Sequence, residues 1–233
     1  MKLVCVSPAF NEERTVASVV EKASRYVDEV IVVDDGSTDN TRKKALEAGA
    51  IVISHPRNLG KGAALKTGFK IALERGADVI ISIDADGQHD PDEIPRLISA
   101  MERGNFDIVI GSRFLGDISS MPTPRIFSNT ITSSFLRLFF GIPVTDSQSG
   151  FRAFKRKVIE SVSFSDPRFA AETEILINAK QKGFKIGEVK IKTIYGEEKS
   201  KMRIVEDTLR WIKLVTKYLL LSLLRMRRPE RPC

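Results

Sequence analysis

The sequence has few cysteines, few aromatic residues and no long apolar run. Its two cysteines, Cys5 within an apolar segment and Cys233 at the last position, argue against a disulfide framework or a thiolate metal site and favour a reducing cytosol. The apolar stretches fall short of the ~20 residues of a membrane-spanning helix, and the first residues lack the apolar core of a signal peptide. A cytoplasmic protein without a membrane-spanning segment is therefore expected.

Glycine-rich phosphate motifs are also missing. The first apolar segment, Leu3 to Val6, is not followed by G-x-G-x-x-G, and G-x-x-x-x-G-K-[ST] does not occur. The first glycine of the chain is Gly36, so the glycine-rich basic loop expected of a sugar-activating nucleotidyltransferase has no counterpart. These absences argue against a dinucleotide-binding fold, a P-loop and a nucleotidyltransferase.

The charge balance is basic, with 37 Lys and Arg against 30 Asp and Glu and a formal net charge of +7. Such an excess attracts nucleic acid, an anionic membrane surface and an anionic substrate alike. A nucleic-acid-binding protein is the non-enzymatic alternative, but an aromatic content of 7% and acidic loops where a groove would lie argue against it. No nucleic-acid partner is expected.

Short β-rich segments alternate with longer helical ones from Leu3 to Ile110, which predicts βαβ units in an α/β fold. The sheet is expected to be mostly parallel, with helices on both faces. At 233 residues the chain suffices for one core. Ligands of such sheets bind beyond the carboxyl ends of the strands. The polar segments that follow the strands are therefore the candidate site.

The densest acidic segment, "DADGQHD", follows the apolar run Val79 to Ile83. Asp84 and Asp86 are two residues apart, so an extended chain points both carboxylates the same way. Hard oxygen ligands favour Mg²⁺ or Mn²⁺ over Zn²⁺. A solvated acidic turn is the alternative. His89 is either a third ligand or the cap of the helix that begins at Pro91, and we favour the cap.

A second acidic pair, Asp34 and Asp35, ends the apolar segment Val30 to Val33. Carboxylates at this place can accept hydrogen bonds from a ribose or a base edge. The alternative is a strand, a turn and a helix cap near Asp39. Both interpretations remain open.

Basic residues at a helix start and on later loops suit an anion. Lys61, in "RNLGKGAALKTG", lies where free backbone N–H groups favour negative charge, although a plain helix entry fits equally well. Arg113, Arg125 and Arg152 lie on loops in the second half of the chain, where guanidinium groups can bind phosphate oxygens. Ordinary surface arginines are the alternative.

Taken in order, eight segments resemble glycosyltransferase family 2, and within it the polyprenyl-phosphate (dolichyl-phosphate) mannose or glucose synthases. They are "SPAFNEE", "VVDDGSTDNT", "NLGKGAALKTGF", "DADGQHDP", "IGSRF", "DSQSGFRAF", "AETEIL" and "GEEKSKM". The resemblance covers nearly the whole chain. It implies a GT-A-type nucleotide-sugar-binding fold, with residues 1–203 as the catalytic domain and 204–233 as a helix and basic tail of the same unit.

The resemblance also implies a set of site residues. For the nucleotide these are Pro8, Ala9, Asn11, Glu12, Asp34, Asp35, Lys61, Asp84 and Ala85. For Mg²⁺ or Mn²⁺ they are Asp84, Asp86 and Gln88. Asp86, Arg113 and Arg125 are expected to act on the reaction, the two arginines by holding the lipid phosphate. Arg152, Ser200, Lys201 and Arg203 are expected at the acceptor phosphate or on a loop that closes over the donor.

The expected reaction is inverting transfer of glucose or mannose from a UDP- or GDP-hexose to a polyprenyl phosphate, with a slight lean to glucose. A phosphate monoester is largely ionised at neutral pH, so it needs no strong general base. Transfer to a sugar hydroxyl of a glycan or glycolipid is the alternative, and it would need a carboxylate base such as Asp146 or Glu172.

The last helical segment, Ile204 to about Met226, is amphipathic. Its charges, among them Arg210, Lys213 and Lys217, are predicted to share one narrow arc, with a broadly apolar remainder. Such a helix either lies in a bilayer interface or packs on the core. The basic ending "RMRRPERP" would add attraction to anionic lipid. Peripheral association with the cytosolic face of a membrane is therefore expected.

Overall fold

Seven strands and eight α-helices occur in the computed structural model, which describes residues 1–119, 121–192, 194 and 204–226. The strands are β1 (Leu3–Ala9), β2 (Glu29–Asp34), β3 (Ile51–Ser54), β4 (Val79–Ser82), β5 (Ile108–Ser112), β6 (Arg152–Lys155) and β7 (Ile186–Lys190). The helices are α1 (Val16–Ala23), α2 (Thr41–Glu47), α3 (Lys61–Glu74), α4 (Ile94–Arg103), α5 (Thr123–Phe140), α6 (Arg156–Ser161), α7 (Ala170–Gln181) and α8 (Ile204–Met226).

The strands form one sheet in the order β3-β2-β1-β4-β6-β5-β7. All neighbouring strands are parallel except β6, which runs antiparallel to both β4 and β5. The predicted α/β fold with a mostly parallel sheet is confirmed. The carboxyl ends of β1, β2 and β4 lie side by side, and the loop that enters β6 approaches the same edge because β6 is reversed.

The strands are apolar on both faces because helices cover both faces. In β1, Val4 and Val6 belong to one core cluster while Cys5 belongs to the other. The first cluster contains side chains of α3, α7 and α8, and the second contains side chains of α1 and α4. The strands are thus packed between two layers of helices, and the loops of the site extend from their ends.

Beyond Ile110 the sequence pattern predicts a helix from Ile126 to Phe140 and a strand from Lys185 to Ile194. In the structure α5 begins at Thr123, β7 ends at Lys190, and the short helix α6 has no counterpart in the predicted order. None of these differences moves the edge at which the acidic segments lie.

The apolar surface of α8 is divided between the core and solvent. Leu214, Val215 and Tyr218 are buried, whereas Leu209 and Ile212 are exposed. The arc on which the sequence places the charges of α8 does not face solvent throughout. Asp207 on this arc is buried and ion-paired to Arg168 at 3.0 Å. Within the described part of the chain, no helix has the length and apolar character needed to cross a membrane.

Candidate functional site

The loops after β1 and β2 are joined by side chain to backbone hydrogen bonds. Asn11 has a positive φ of 53°, and its Oδ1 accepts a hydrogen bond from the Thr38 N–H at 2.9 Å. The N–H of Glu12 donates to Thr41 Oγ1 at 2.7 Å. The predicted nucleotide residues Asn11 and Glu12 are therefore held beside the loop that follows Asp34.

The two acidic residues at the end of β2 lie at the base of this edge. Asp34 pairs with Ala9 in the sheet register, next to Pro8, and both Asp34 and Asp35 are buried. Asp34 accepts the N–H of Ser37 at 3.0 Å. Asp35 contacts His55 Nδ1 at 2.7 Å and accepts the Gly60 N–H at 2.7 Å. Asp35 thus also fixes the loop that leads into α3.

The segment after β4 brings Asp84, Ala85, Asp86 and Gln88 to the same edge. Thr15 Oγ1 donates to the Ala85 carbonyl at 2.7 Å, which ties this segment to the start of α1. The Gln88 N–H donates to Asp86 Oδ1 at 3.0 Å. A Cβ at Gly150 would overlap the Asp84 carboxylate, so the loop before β6 packs directly on that side chain.

Lys61 supplies the positive charge nearest to Asp84. Its Nζ lies 2.7 Å from Asp84 Oδ1 and 2.9 Å from Glu172 Oε1 on α7. Burial by itself would lower the pKa of Lys61, but the two carboxylates outweigh burial and raise it. Lys61 is therefore a firmly protonated cation, shared between two acids.

The two aspartates of the acidic segment differ in their electrostatic surroundings. Burial raises the pKa of Asp86 to about 6, and the neighbouring charge of Asp84 adds to this shift. Burial also opposes ionisation of Asp84, but Lys61 and then His89 outweigh it and lower its pKa. Among the described residues Asp86 makes no ion pair. Lys61 thus neutralises Asp84, whereas Asp86 is the member of the pair without such a partner among the described residues.

The donor set fits a hard divalent cation in its chemistry. Asp84 and Asp86 offer carboxylate oxygens and Gln88 offers an amide oxygen, which are the ligand types of Mg²⁺ and Mn²⁺. No three His, Cys, Asp or Glu side chains converge on one point within the described ranges. The protein would thus supply a partial ligand set, as magnesium sites that also use substrate phosphates do.

His89 does not cap the following helical turn, contrary to the sequence prediction. The cap is Asp90, whose side chain accepts the Asp92 N–H. His89 is buried against Phe151, with ring centroids 5.6 Å apart, and its Nδ1 has no hydrogen-bond partner among the described residues. Burial and then the charge of Arg113 lower its pKa to about 4, so the imidazole is neutral at neutral pH.

The three arginines that the sequence assigned to phosphate have three different surroundings. Arg125, at the start of α5, donates from Nη1 to Gln88 Oε1 at 2.9 Å. Arg113 binds the buried Asp146 through Nε at 2.7 Å and Nη2 at 2.8 Å. Arg152 is 1% exposed and donates hydrogen bonds to the backbone carbonyls of Ser147, Ser149 and Glu172.

Arg152 is therefore a support beneath the site, which corrects its expected place at the acceptor phosphate. Its guanidinium holds the 147–149 loop against α7. A buried cation whose hydrogen bonds join the carbonyls of a loop to a helix carbonyl has a structural role. Of the other residues in this group, Ser200, Lys201 and Arg203 lie outside the described residues.

Sequence reasoning missed the residues that orient Asp146. Glu188 on β7 accepts the N–H groups of Thr145 at 2.8 Å and Asp146 at 3.0 Å. Asn129 and Ser133 of α5 bind the next two residues of the same loop. Glu188 lies in a strand far along the chain, and no local pattern marks it. The sequence feature that could have pointed to this loop is the length of the polar "DSQSG" segment.

The sequence that forms this edge, with its acidic pair, shared lysine and flanking arginines, matches the profile of a known protein family. The sequence profile described as Glycosyl transferase family 2 covers residues 4–163. The chain belongs to this family. The resemblance and the predicted enzyme class, a glycosyltransferase, are thereby confirmed.

Relatives in glycosyl transferase family 2 include lipid-phosphate glycosyltransferases. A UDP-N-acetylglucosamine–dolichyl-phosphate N-acetylglucosaminyltransferase from Methanococcus voltae is 39% identical over 214 residues, covering 82% of this chain and 85% of the relative. The polyprenol monophosphomannose synthase of Mycolicibacterium smegmatis is 30% identical over 203 residues, covering 82% of this chain and 76% of the relative. The two names differ in the sugar, so the lean to glucose stays a prediction.

The fold is also similar to that of a solved enzyme. The glucosyl-3-phosphoglycerate synthase of Mycobacterium tuberculosis, in complex with Mn²⁺, UDP and glucosyl-3-phosphoglycerate, superposes with a TM-score of 0.77. The match covers 94% of this chain and 80% of that chain at 24% identity. At this identity the similarity concerns the fold, which agrees with the predicted nucleotide-sugar-binding architecture.

Proposed function

We propose that this glycosyltransferase moves a hexose or an N-acetylhexosamine from a nucleoside diphosphate sugar to a polyprenyl phosphate, with inversion at the anomeric carbon. The names of the Methanococcus and Mycolicibacterium relatives support the lipid phosphate as acceptor. In the reaction, a phosphate oxygen of the acceptor attacks the anomeric carbon from the face opposite to the leaving nucleoside diphosphate.

One observation favours a phosphate over a sugar hydroxyl. A hydroxyl acceptor would need a general base, and the sequence offers Asp146 or Glu172. Asp146 is fully buried in a bidentate pair with Arg113, and Glu172 is bound to Lys61 at 2.9 Å. Both carboxylates thus already have a cation as their partner, so neither is placed to take a proton from a hydroxyl acceptor. A phosphate monoester needs no such base because its second pKa is about 6.

On the donor side, Pro8, Ala9, Asn11, Glu12, Asp34 and Asp35 would surround the nucleoside. Asp84, Asp86 and Gln88 would hold Mg²⁺ or Mn²⁺, which when bound neutralises charge on the departing diphosphate. Lys61 and Ala85 lie at the same edge, where the ammonium of Lys61 can contact a diphosphate oxygen. The structure of the Mycobacterium enzyme with Mn²⁺ and UDP supports this choice of metal and ligand.

On the acceptor side, Arg125 would bind the lipid phosphate. It contacts Gln88 at 2.9 Å, so the acceptor cation lies next to the donor's metal ligands. Arg113 would add a second positive charge, since its field already acts on Asp84 and His89. Phe127 and Ile131 follow Arg125 on α5 and are 68% and 48% exposed. An apolar surface beside a phosphate-binding arginine suits a prenyl chain.

The decisive experiment offers the enzyme labelled UDP-glucose, UDP-N-acetylglucosamine and GDP-mannose, each with undecaprenyl phosphate or with free glycans, in the presence of Mn²⁺. We expect a chelator-sensitive glycolipid product with one of these donors and none with the glycans. Arg125→Met should reduce the glycolipid product, whereas the control Arg103→Met, on the exposed side of α4, should not. Transfer to glycans alone would contradict the acceptor assignment.

Peripheral binding to the cytosolic face of a membrane belongs to the same proposal. The exposed apolar side chains of α5 and of α8, with the cations Arg210, Lys213 and Lys217, suit an anionic bilayer surface. Flotation with vesicles that contain anionic lipid should recover the protein at low salt. Exclusion from such vesicles at every ionic strength would contradict membrane association.

A further inference from the structure

The Lys61 ammonium is attached to the carboxylate that the proposed function assigns to the metal. Its Nζ lies 2.7 and 2.9 Å from the two oxygens of Asp84 and 2.9 Å from Glu172. The side chain is 14% exposed, so solvent screens these contacts weakly. The ammonium donates a hydrogen bond to Asp84 Oδ2 and forms ion pairs with Asp84 Oδ1 and with Glu172.

A divalent cation on Asp84 would lie within a few ångströms of this ammonium. Like charges at such separations in a largely buried site repel strongly. Metal binding to Asp84 is therefore opposed unless Lys61 releases that carboxylate. Glu172 offers the ammonium one alternative partner, and a diphosphate would offer another.

Only the side chain of Lys61 is able to make this exchange, because its backbone is fixed on both sides. A Cβ at Gly60 or Gly62 would overlap the carbonyls of Pro167 or Asp166. The Ala63 N–H also donates to the Pro167 carbonyl at 3.1 Å. The start of α3 is thus packed against the 166–168 loop, and the four methylenes of Lys61 provide the reach.

We infer that Lys61 is an internal counter-ion that makes metal and nucleotide bind together. Lys61 neutralises Asp84 until a diphosphate attracts the ammonium, and Asp84 then becomes available to the metal. Glu172 keeps the lysine within the site during the exchange. The inference rests on the proposed function and adds a binding order to it: the metal enters with the nucleotide diphosphate and binds poorly alone.

The test measures Mn²⁺ affinity by electron paramagnetic resonance, without nucleotide and with UDP or GDP. In the wild-type chain we expect one of the nucleotides to tighten Mn²⁺ binding by at least about tenfold, a typical coupling between two sites. In Lys61→Met we expect Mn²⁺ alone to bind at least about tenfold more tightly, with the coupling largely lost. Lys66→Met, an exposed lysine of the same helix, should behave as wild type.

Two further variants keep the inference falsifiable if Lys61→Met unfolds. Lys61→Arg retains the positive charge and should retain weak binding of Mn²⁺ alone. Glu172→Gln removes the second carboxylate partner of Lys61, so the ammonium stays on Asp84. Mn²⁺ alone should then bind more weakly than in wild type, whereas in Lys61→Met it should bind more tightly. Equal Mn²⁺ affinity with and without nucleotide in wild type, alongside intact nucleotide binding, would overturn the inference and leave the proposed function standing. Binding of neither nucleotide nor Mn²⁺ would overturn both.

Discussion

The proposed donor-binding region (the donor edge), formed by the loops after β1, β2 and β4 with Lys61, differs from the proposed acceptor-binding region (the acceptor side), formed by α5, the 144–151 loop and α8. Acidic residues of the donor edge follow parallel strands and lie together because their strands are neighbours. Of the basic residues of the acceptor side, Arg113 follows β5, Arg125 lies at the start of α5, and Arg152 begins the reversed strand β6. The acidic residues of the donor edge therefore lie close together, whereas the arginines of the acceptor side lie in different surroundings.

The three arginines illustrate this difference. Arg152 is bound by backbone carbonyls in the interior, Arg113 by a buried carboxylate, and Arg125 by one amide oxygen at the rim. The sequence predicts all three on loops, whereas Arg125 lies in α5 and Arg152 in β6, so residue type alone does not decide which arginine meets a ligand. The predictions below test this contrast, beginning with the donor edge.

The largest effect is expected at Asp84. Asp84→Asn removes a carboxylate from the proposed metal site, and kcat/KM should fall by roughly 100-fold or more, as when one preorganised charge stabiliser is lost. Steady-state transfer assays with excess Mn²⁺ measure this. Asp92→Asn, in the same acidic segment but outside the proposed ligand set, is the control and should retain activity. Parent-like turnover of Asp84→Asn, unaffected by chelators, would remove the metal site from the mechanism.

On the acceptor side, Arg152 and Arg125 should separate stability from activity. Arg152→Met removes the buried donor that binds three backbone carbonyls and should lower the free energy of unfolding by about 3 kcal/mol or more. Arg125→Met should change it by less than ~0.5 kcal/mol yet reduce kcat/KM for polyprenyl phosphate about 10- to 100-fold. Urea unfolding and lipid-acceptor kinetics measure the two effects. A stable, inactive Arg152→Met would reverse their assigned roles.

Gly150 joins the two regions, because its loop lies against the Asp84 carboxylate. Gly150→Ala would place a methyl group where that carboxylate lies, so the side chain must shift. We expect Mn²⁺ binding in the presence of nucleotide to weaken about tenfold or more, since ligand position is held to fractions of an ångström in such sites. Titration calorimetry measures this change. Unchanged affinity would mean that Asp84 tolerates the displacement.

Sequence reasoning recovers the donor edge more fully than the acceptor side for a physical reason. Asp34, Asp84 and Asp86 follow apolar strands directly, so strand periodicity and the carboxyl-end rule place them. Nothing local shows that β6 is reversed, that Glu188 on β7 orients the Asp146 loop, or that Arg152 is buried. These features depend on contacts between distant segments. The Asp90 cap before α4 is local, but the burial of His89 against Phe151 depends on a distant segment.

The smallest effect is expected far from both regions, at the start of β2. Hydrogen bonds from Arg75 and then from Lys2 lower the pKa of Glu29 to about 2. A lowered carboxylate pKa stabilises the fold above the ordinary value of 4.5, and this contribution is lost as pH falls toward 2. Because Lys2 and Arg75 are 34% and 41% exposed, solvent screening limits the contribution to about 1 kcal/mol.

Glu29→Gln should therefore lower the free energy of unfolding by about 1 kcal/mol at pH 7 and by progressively less as pH falls from 4.5 toward 2. Urea unfolding at a series of pH values measures this difference. Transfer activity should not change, because Glu29 lies at the amino end of β2 and the donor edge lies at the carboxyl end. If Glu29→Gln lost more activity than its loss of stability can explain, the sheet would have to transmit changes from one end to the other. A difference between variant and parent that persisted at pH 2 would show that packing, rather than charge, gives Glu29 its effect.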